Sequence, residues 1–167
     1  MKTITIDFET FYDQEFSLSK LSTEEYIRSP LFEVIGVAVK VDDEPTQWAS
    51  GTHQQIAAFL GQYDWAGNAC LGHNNLLDGA ILAWVFDIHP KLLLDTLSMA
   101  RALHGPDSPA SLAKLTERYK LGKKGTEVVQ AKGMRRADFT EVELSKYGDY
   151  CINDVELTWE LFHFMRK

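Results

Sequence analysis

The first ten residues constrain this chain more than any other stretch. In Thr3-Ile4-Thr5-Ile6-Asp7-Phe8-Glu9-Thr10, polar and apolar side chains alternate with a period of two, the pattern of a strand that buries one face. Ile4, Ile6 and Phe8 make the buried face, which leaves Asp7 and Glu9 together on the other. Residues two apart on a strand have Cα atoms about 6.5 Å from each other, so two carboxylates converge. Like charges held that close disfavour joint ionisation unless water or a cation intervenes. A D-x-E triplet is common at exposed strand ends and, alone, is weak evidence for a metal site.

The remaining pattern completes an α/β domain. Phe32 to Val41 is rich in β-branched residues and reads as a second strand, with Asp42-Asp43-Glu44-Pro45 as a turn into a third around Gln47-Trp48. Three antiparallel strands are expected. A helix capped by Thr52 and stopped by Gly61 follows, then a short strand at Ala69 to Leu71. From Asp78 the residues Ile81, Leu82, Val85 and Phe86 recur at helical spacing, and the helix ends before Pro90. A strand at Leu92 to Leu94 leads through Asp95-Thr96 into a helix reaching Leu103. A short helix spans Ser111 to Tyr119, and a long one runs from Glu141 to about Phe164. Strands that come first as a meander and then alternate with helices predict a mixed sheet, antiparallel and parallel, flanked by helices.

With 167 residues and 45% hydrophobic content, the chain can bury one sizeable core, so a single domain spanning residues 1–167 is expected. The alternating amino terminus does not resemble a signal peptide, and the apolar runs are too short to span a bilayer. A soluble, cytoplasmic protein with no membrane partner is the expectation. Cys70 and Cys151 are far apart in sequence, lack a C-x-x-C pattern and read as reduced and buried. The net charge of −7 argues against a polyanionic partner until its distribution is considered. Between Lys114 and Arg136 there are eight basic residues and two acidic ones, net +6, which leaves −13 for the rest. Such asymmetry suits a protein that grips a polyanion with one segment and holds cations with another, although a solvated Lys-rich connection is the plainer reading.

Two further acidic residues occupy informative places. Asp78 stands at the start of a helix that follows a strand, where the helix dipole favours an anion; Asn74 lies in the loop before it. Asp154 falls within the last helix between apolar neighbours, where an unpaired buried carboxylate is costly. Tyr150, four residues earlier, shares its face; Tyr147 shares it too, but two turns away, and is the poorer partner on reach. Four carboxylates without clustered Cys or His form a ligand set for Mg²⁺ or Mn²⁺, not for zinc. The five histidines show no metal-site spacing, and no G-x-S-x-G or Walker sequence occurs.

In order, Asp7-Phe8-Glu9-Thr10, Gly72-His73-Asn74-Asn75-Leu76-Leu77-Asp78 and Tyr150-Cys151-Ile152-Asn153-Asp154 resemble the three exonuclease motifs of the DEDD superfamily. Specifically, they resemble the motifs of the proofreading domain of family A DNA polymerases, both bacterial and phage types. A tyrosine four residues before the last aspartate resembles the tyrosine subclass; Asp149 stands where the histidine subclass carries its base. The resemblance implies an RNase H-like fold and two divalent cations, Mg²⁺ or Mn²⁺. Asp7 would bridge both, Glu9 and Asp154 would hold the cation that binds the attacking water, and Asp78 would act on the second through water. Tyr150 would orient the water with Glu9. Thr10 and Asn74 match positions that contact the 3′-terminal nucleotide, and Phe11 is the candidate wedge against the terminal base, although Phe11-Tyr12-Asp13 departs from the polymerase pattern.

The activity implied is two-metal 3′→5′ hydrolysis of single-stranded or frayed DNA with release of nucleoside 5′-monophosphates. Proofreading in replication is the implied setting, in a bacterial or phage-infected cytoplasm and beside a polymerase domain or replication protein. The alternatives are an RNase D-like exoribonuclease and a non-catalytic nucleic-acid-binding scaffold of the same fold. A PIN-type nuclease also groups acidic residues, but the D-x-E strand and the Tyr150–Asp154 turn fit it poorly.

Overall fold

The computed structural model describes residues 1–122 and 130–167. Lys123, Lys124 and Glu127 of the basic window lie outside them. Five strands, β1 (Thr3–Thr10), β2 (Val34–Val41), β3 (Gln47–Ser50), β4 (Ala69–Gly72) and β5 (Leu92–Asp95), form one sheet in the order β3-β2-β1-β4-β5. β1, β2 and β3 pair antiparallel, and β1, β4 and β5 pair parallel. This is the expected mixed sheet. The helices are α1 (Thr23–Arg28), α2 (His53–Leu60), α3 (Asn75–Phe86), α4 (Thr96–His104), α5 (Leu112–Tyr119) and α6 (Glu141–Met165), with a 3₁₀ turn at Arg136–Asp138.

Side-chain caps set several of these boundaries. Thr52 and Gln55 close a capping box on α2, as Thr140 and Glu143 do on α6, and Ser111 caps α5 through the Lys114 N–H. Helix α1, six residues with its own Ser22/Glu25 capping box, is not among the elements expected from the sequence pattern. Helix α3 starts at Asn75, earlier than its apolar periodicity suggests, and so places Asp78 in its first turn and not at its first residue.

Ile4, Ile6 and Phe8 enter the main core, as their alternation requires. The opposite face of β1 and β2 receives α6. Ala38 of β2, directly across from Asp7, packs with Cys151 and Val155 of α6. Trp48 of β3 lies against two glycines, Gly36 of β2 and Gly148 of α6, and stacks on Tyr147 at 6.3 Å. Small side chains at 36, 38, 148 and 151 let the helix approach the sheet closely. Lys40, 6% exposed, fastens the same junction: its Nζ donates to Glu156 Oε1 of α6 at 3.0 Å and to the Glu44 carbonyl at 2.8 Å.

A Cβ on Gly148 would stand 2.6 Å from Trp48 Cδ1, and overpacking of this kind costs ~1–3 kcal/mol. Gly148→Ala is therefore expected to lower the urea midpoint by a corresponding amount without changing the slope. An unchanged midpoint would show that the close helix approach is not a requirement of the fold.

Candidate active site

β1 delivers Asp7 and Glu9 toward α6. The ladder between β1 and β2 shifts register after Glu9, which pairs with Gly36 while Thr10 pairs with Val34. A bulge of this kind re-aims the side chains beside it. One potential ligand atom from each of Asp7, Glu9 and Cys151 lies within 4.8 Å of the others. Asp78 reaches the same place from α3, where its Oδ1 accepts the N–H of Phe8, the residue between the two β1 carboxylates, at 3.0 Å. Asp154 comes from α6 and is 7% exposed.

The electrostatics place all four carboxylates in one neighbourhood. Burial pushes the Asp7 carboxyl well above its usual range, and the charges of Glu9, Asp78 and Asp154 push it further, against a hydrogen bond from Cys151. The Asp78 carboxyl is raised to about 7, chiefly by burial, while the N–H groups of Phe8 and Asp78 itself act in the opposite direction. Repulsion among buried carboxylates is relieved by protons or by cations, and an all-oxygen acidic set suits hard divalent ions. The residues present therefore fit such ions.

Around this cluster sit side chains with distinct jobs. The Cys151 thiol donates toward the Asp7 carbonyl at 3.3 Å and Oδ2 at 3.4 Å. Tyr147, 3% exposed, hydrogen-bonds Glu9, and burial followed by the Glu9 charge drives its phenol far above the usual range. Reach to Asp154 makes Tyr147 look the poorer of the two tyrosines from sequence. Its partner is instead the neighbouring strand carboxylate, and the signal is the seven-residue spacing that puts it two turns along the same face. Tyr150 is half-buried and packs its ring against the main core.

The residues expected to meet substrate are placed differently from one another. Thr10 Oγ1 lies 2.8 Å from the Tyr26 hydroxyl of α1, which also donates to the Phe11 carbonyl at 2.5 Å. Asn74 is exposed, in a left-handed conformation with φ of 66°, and its N–H is held by Asp95 Oδ1 at 2.8 Å. Phe11 is 6% exposed, stacked on Phe16, with the Arg135 guanidinium 3.6 Å from its ring centroid. The exposed aromatic ring beside it belongs to Tyr12, at 37%.

On this mixed sheet, carboxylates from β1, α3 and α6 converge. Residues 66–167 match the 3′-5′ exonuclease family, and the chain belongs to it. That stretch carries Asp78, Tyr150 and Asp154, while Asp7 and Glu9 are brought to them by the fold. Comparison with curated protein sequences gives no match. Among solved structures, Brucella melitensis NrnC is similar at 14% identity and a TM-score of 0.69, covering 98% of this chain and 72% of that one. Trypanosoma brucei RNase D gives 14% and 0.72, covering 98% and 57%. Escherichia coli RNase D, an exoribonuclease involved in structured RNA processing, gives 15% and 0.63, covering 98% and 38%. At such identities the likeness is one of fold. The chain spans just over half of one RNase D chain and less than half of the other. NrnC is also represented with bound Mg²⁺ and bound to pGG. Among the described residues, no helix is long and apolar enough to cross a membrane.

The Asp78 carboxyl, raised from 3.8 to about 7, makes the folded state the stronger proton binder between those values, and the raised Asp7 carboxyl acts in the same direction. Stability therefore falls as pH rises through this window. In EDTA, Tm is expected to decline from pH 5 to pH 7.5, and Mn²⁺ is expected to restore more of it at pH 7.5 than at pH 5. Asp78→Asn should flatten the decline; equal profiles for variant and parent would count against the buried cluster.

Proposed function

We propose that this chain is a two-metal-ion 3′→5′ exonuclease that removes nucleoside 5′-monophosphates from single-stranded or frayed DNA 3′ ends, in the setting of replication proofreading. The convergence of Asp7, Glu9, Asp78 and Asp154 carries the proposal. Asp7 lies centrally in the cluster and is the ligand suited to bridging. Glu9 and Asp154 would hold one divalent cation, Mg²⁺ or Mn²⁺, and Asp78 would serve the other through water. When bound, such a pair lowers the pKa of the attacking water and neutralises charge at the phosphoryl centre.

The protein groups then have positioning work. Tyr150 and Glu9 orient the attacking water, with Tyr147 fixing the Glu9 rotamer through its hydrogen bond. Thr10 and Asn74 contact the terminal nucleotide; Phe11, buried under Arg135, supports the loop, and the wedge beside it is the exposed ring of Tyr12. The carboxyl-terminal part of the basic window borders this mouth. The Gly133 N–H donates to the Tyr12 carbonyl at 2.8 Å. The Asp13 carboxyl is held below its usual range by the N–H groups of Phe16 and Glu15 and, more weakly, by Arg135 and Lys132. In this reading the exposed Lys132 meets the phosphates of an entering strand, while Arg135 stays with Glu33 and the Phe11 ring.

RNA is the second reading, favoured by the likeness in fold to RNase D and to NrnC bound to pGG. Matched 5′-labelled DNA and RNA oligonucleotides with Mg²⁺ or Mn²⁺ decide between them. A ladder on DNA that disappears in EDTA and in Asp7→Ala is expected, and a faster ladder on RNA would transfer the assignment. Tyr150→Phe should lower kcat by about 10²-fold. Tyr147→Phe should lower it by roughly tenfold, the size of one hydrogen bond to a charged group. If Asp7→Ala cleaves as fast as the parent, the proposal fails.

A further inference from the structure

A cavity of about 340 Å³ opens between the start of β2, the N-terminus of α2 and the end of α3, and none of the four carboxylates lines it. Three nearly parallel rings lead to it. Phe8, buried between Asp7 and Glu9 in sequence, stacks with Phe86 at 6.0 Å and 7°, and Phe86 stacks with His53 at 5.0 Å and 5°. His53 is exposed at the cavity wall. The volume falls within the range of small-molecule sites, and the mixture of apolar wall with few polar groups is typical of them.

The polar groups select an anion. Glu33 is already engaged: its Oε1 accepts the Arg136 N–H at 2.6 Å and its Oε2 lies 3.4 Å from Arg135 Nη1. Arg136 lines the cavity, and its side chain pairs with no acidic side chain among the described residues. A charged fork beside a planar ring suits a ligand with a heteroaromatic base and a phosphate. We propose that this cavity binds a nucleoside 5′-monophosphate, with the base against His53 and the phosphate on Arg136. The choice of a nucleotide over other aromatic anions rests on the exonuclease reading, which makes that compound the reaction product. Arg136 is the chain neighbour of Arg135, whose guanidinium lies over Phe11.

The test is calorimetric titration of the full chain with dAMP in EDTA, where metal-dependent phosphate binding at the carboxylates is removed. Saturable dAMP binding is expected, weakened about tenfold or more by Arg136→Ala, weakened also by His53→Ala, and unchanged in Asp7→Ala, with circular dichroism confirming that each variant is folded. Adenosine and inorganic phosphate, each carrying half of the recognition, should bind at least tenfold more weakly. Absence of dAMP binding overturns the proposal, as do equal binding by Arg136→Ala and His53→Ala, loss of binding in Asp7→Ala, or phosphate binding as tightly as dAMP. Because no cleavage is measured, failure of the exonuclease reading would show separately, as the absence of Mn²⁺-dependent laddering by the unmodified chain.

Discussion

The close seating of α6 on the antiparallel half of the sheet is the contact on which the rest of the molecule depends. Asp154 and Tyr147 ride on that helix, and they meet the β1 carboxylates only if helix and sheet come nearer than bulky side chains allow. Gly36, Ala38, Gly148 and Cys151 clear the space, and Trp48 fills what remains beside them. Lys40–Glu156 and the Trp159 indole on Asp43, at 3.2 Å, tie the helix along its length. Trimming one partner of the Lys40 pair would leave a charge stranded at a largely buried junction, which is far costlier than losing an exposed pair.

That seating has an electrostatic cost. Four carboxylates drawn into one partly dry space oppose folding at neutral pH, and the protein reduces the cost with dipoles more than with opposite charges. The Phe8 N–H serves Asp78, the first turn of α3 favours the same carboxylate, and thiol and phenol hydrogens serve Asp7 and Glu9. Each is a weak or neutral donor, so a strong demand for positive charge persists. A site built this way is preorganised for divalent cations because the fold, and not the ion, positions the ligands.

Much of this is legible in the sequence, for identifiable reasons. The alternation of residues 3–10 settles the face of Asp7 and Glu9 because a strand leaves no freedom in side-chain direction. The caps at Thr52, Ser111 and Thr140 are local chemistry and can be read from four residues. Helix α1 carries a comparable signal in Ser22 to Glu25, but six residues give too short an apolar pattern to register, and the Tyr26 contact to Thr10 is hidden with it. Tyr147 escapes a sequence-based assignment because helical spacing gives a face but not the distance to another element. The parallel pairing of β1, β4 and β5 is likewise non-local, and only the alternation of strands and helices hints at it.

Asp95 shows how such non-local pairing reaches the chemistry. Its carboxylate accepts the N–H groups of Asn74, Asn75 and Leu97 and the Ser98 hydroxyl, at 2.8, 3.3, 3.1 and 2.7 Å, so one side chain caps the starts of both α3 and α4. Asn75 adds a buried amide that donates to the carbonyls of Cys70 and Leu94 on two adjacent strands. Together they hold Asn74 in a left-handed turn that a side-chain-bearing residue adopts only under constraint. Asp78 sits one helical turn beyond that constraint. Its bond to Phe8 therefore depends on the β4–β5 register as much as on its own helix, and a slip at the sheet edge would move a carboxylate out of the cluster without touching any of the four.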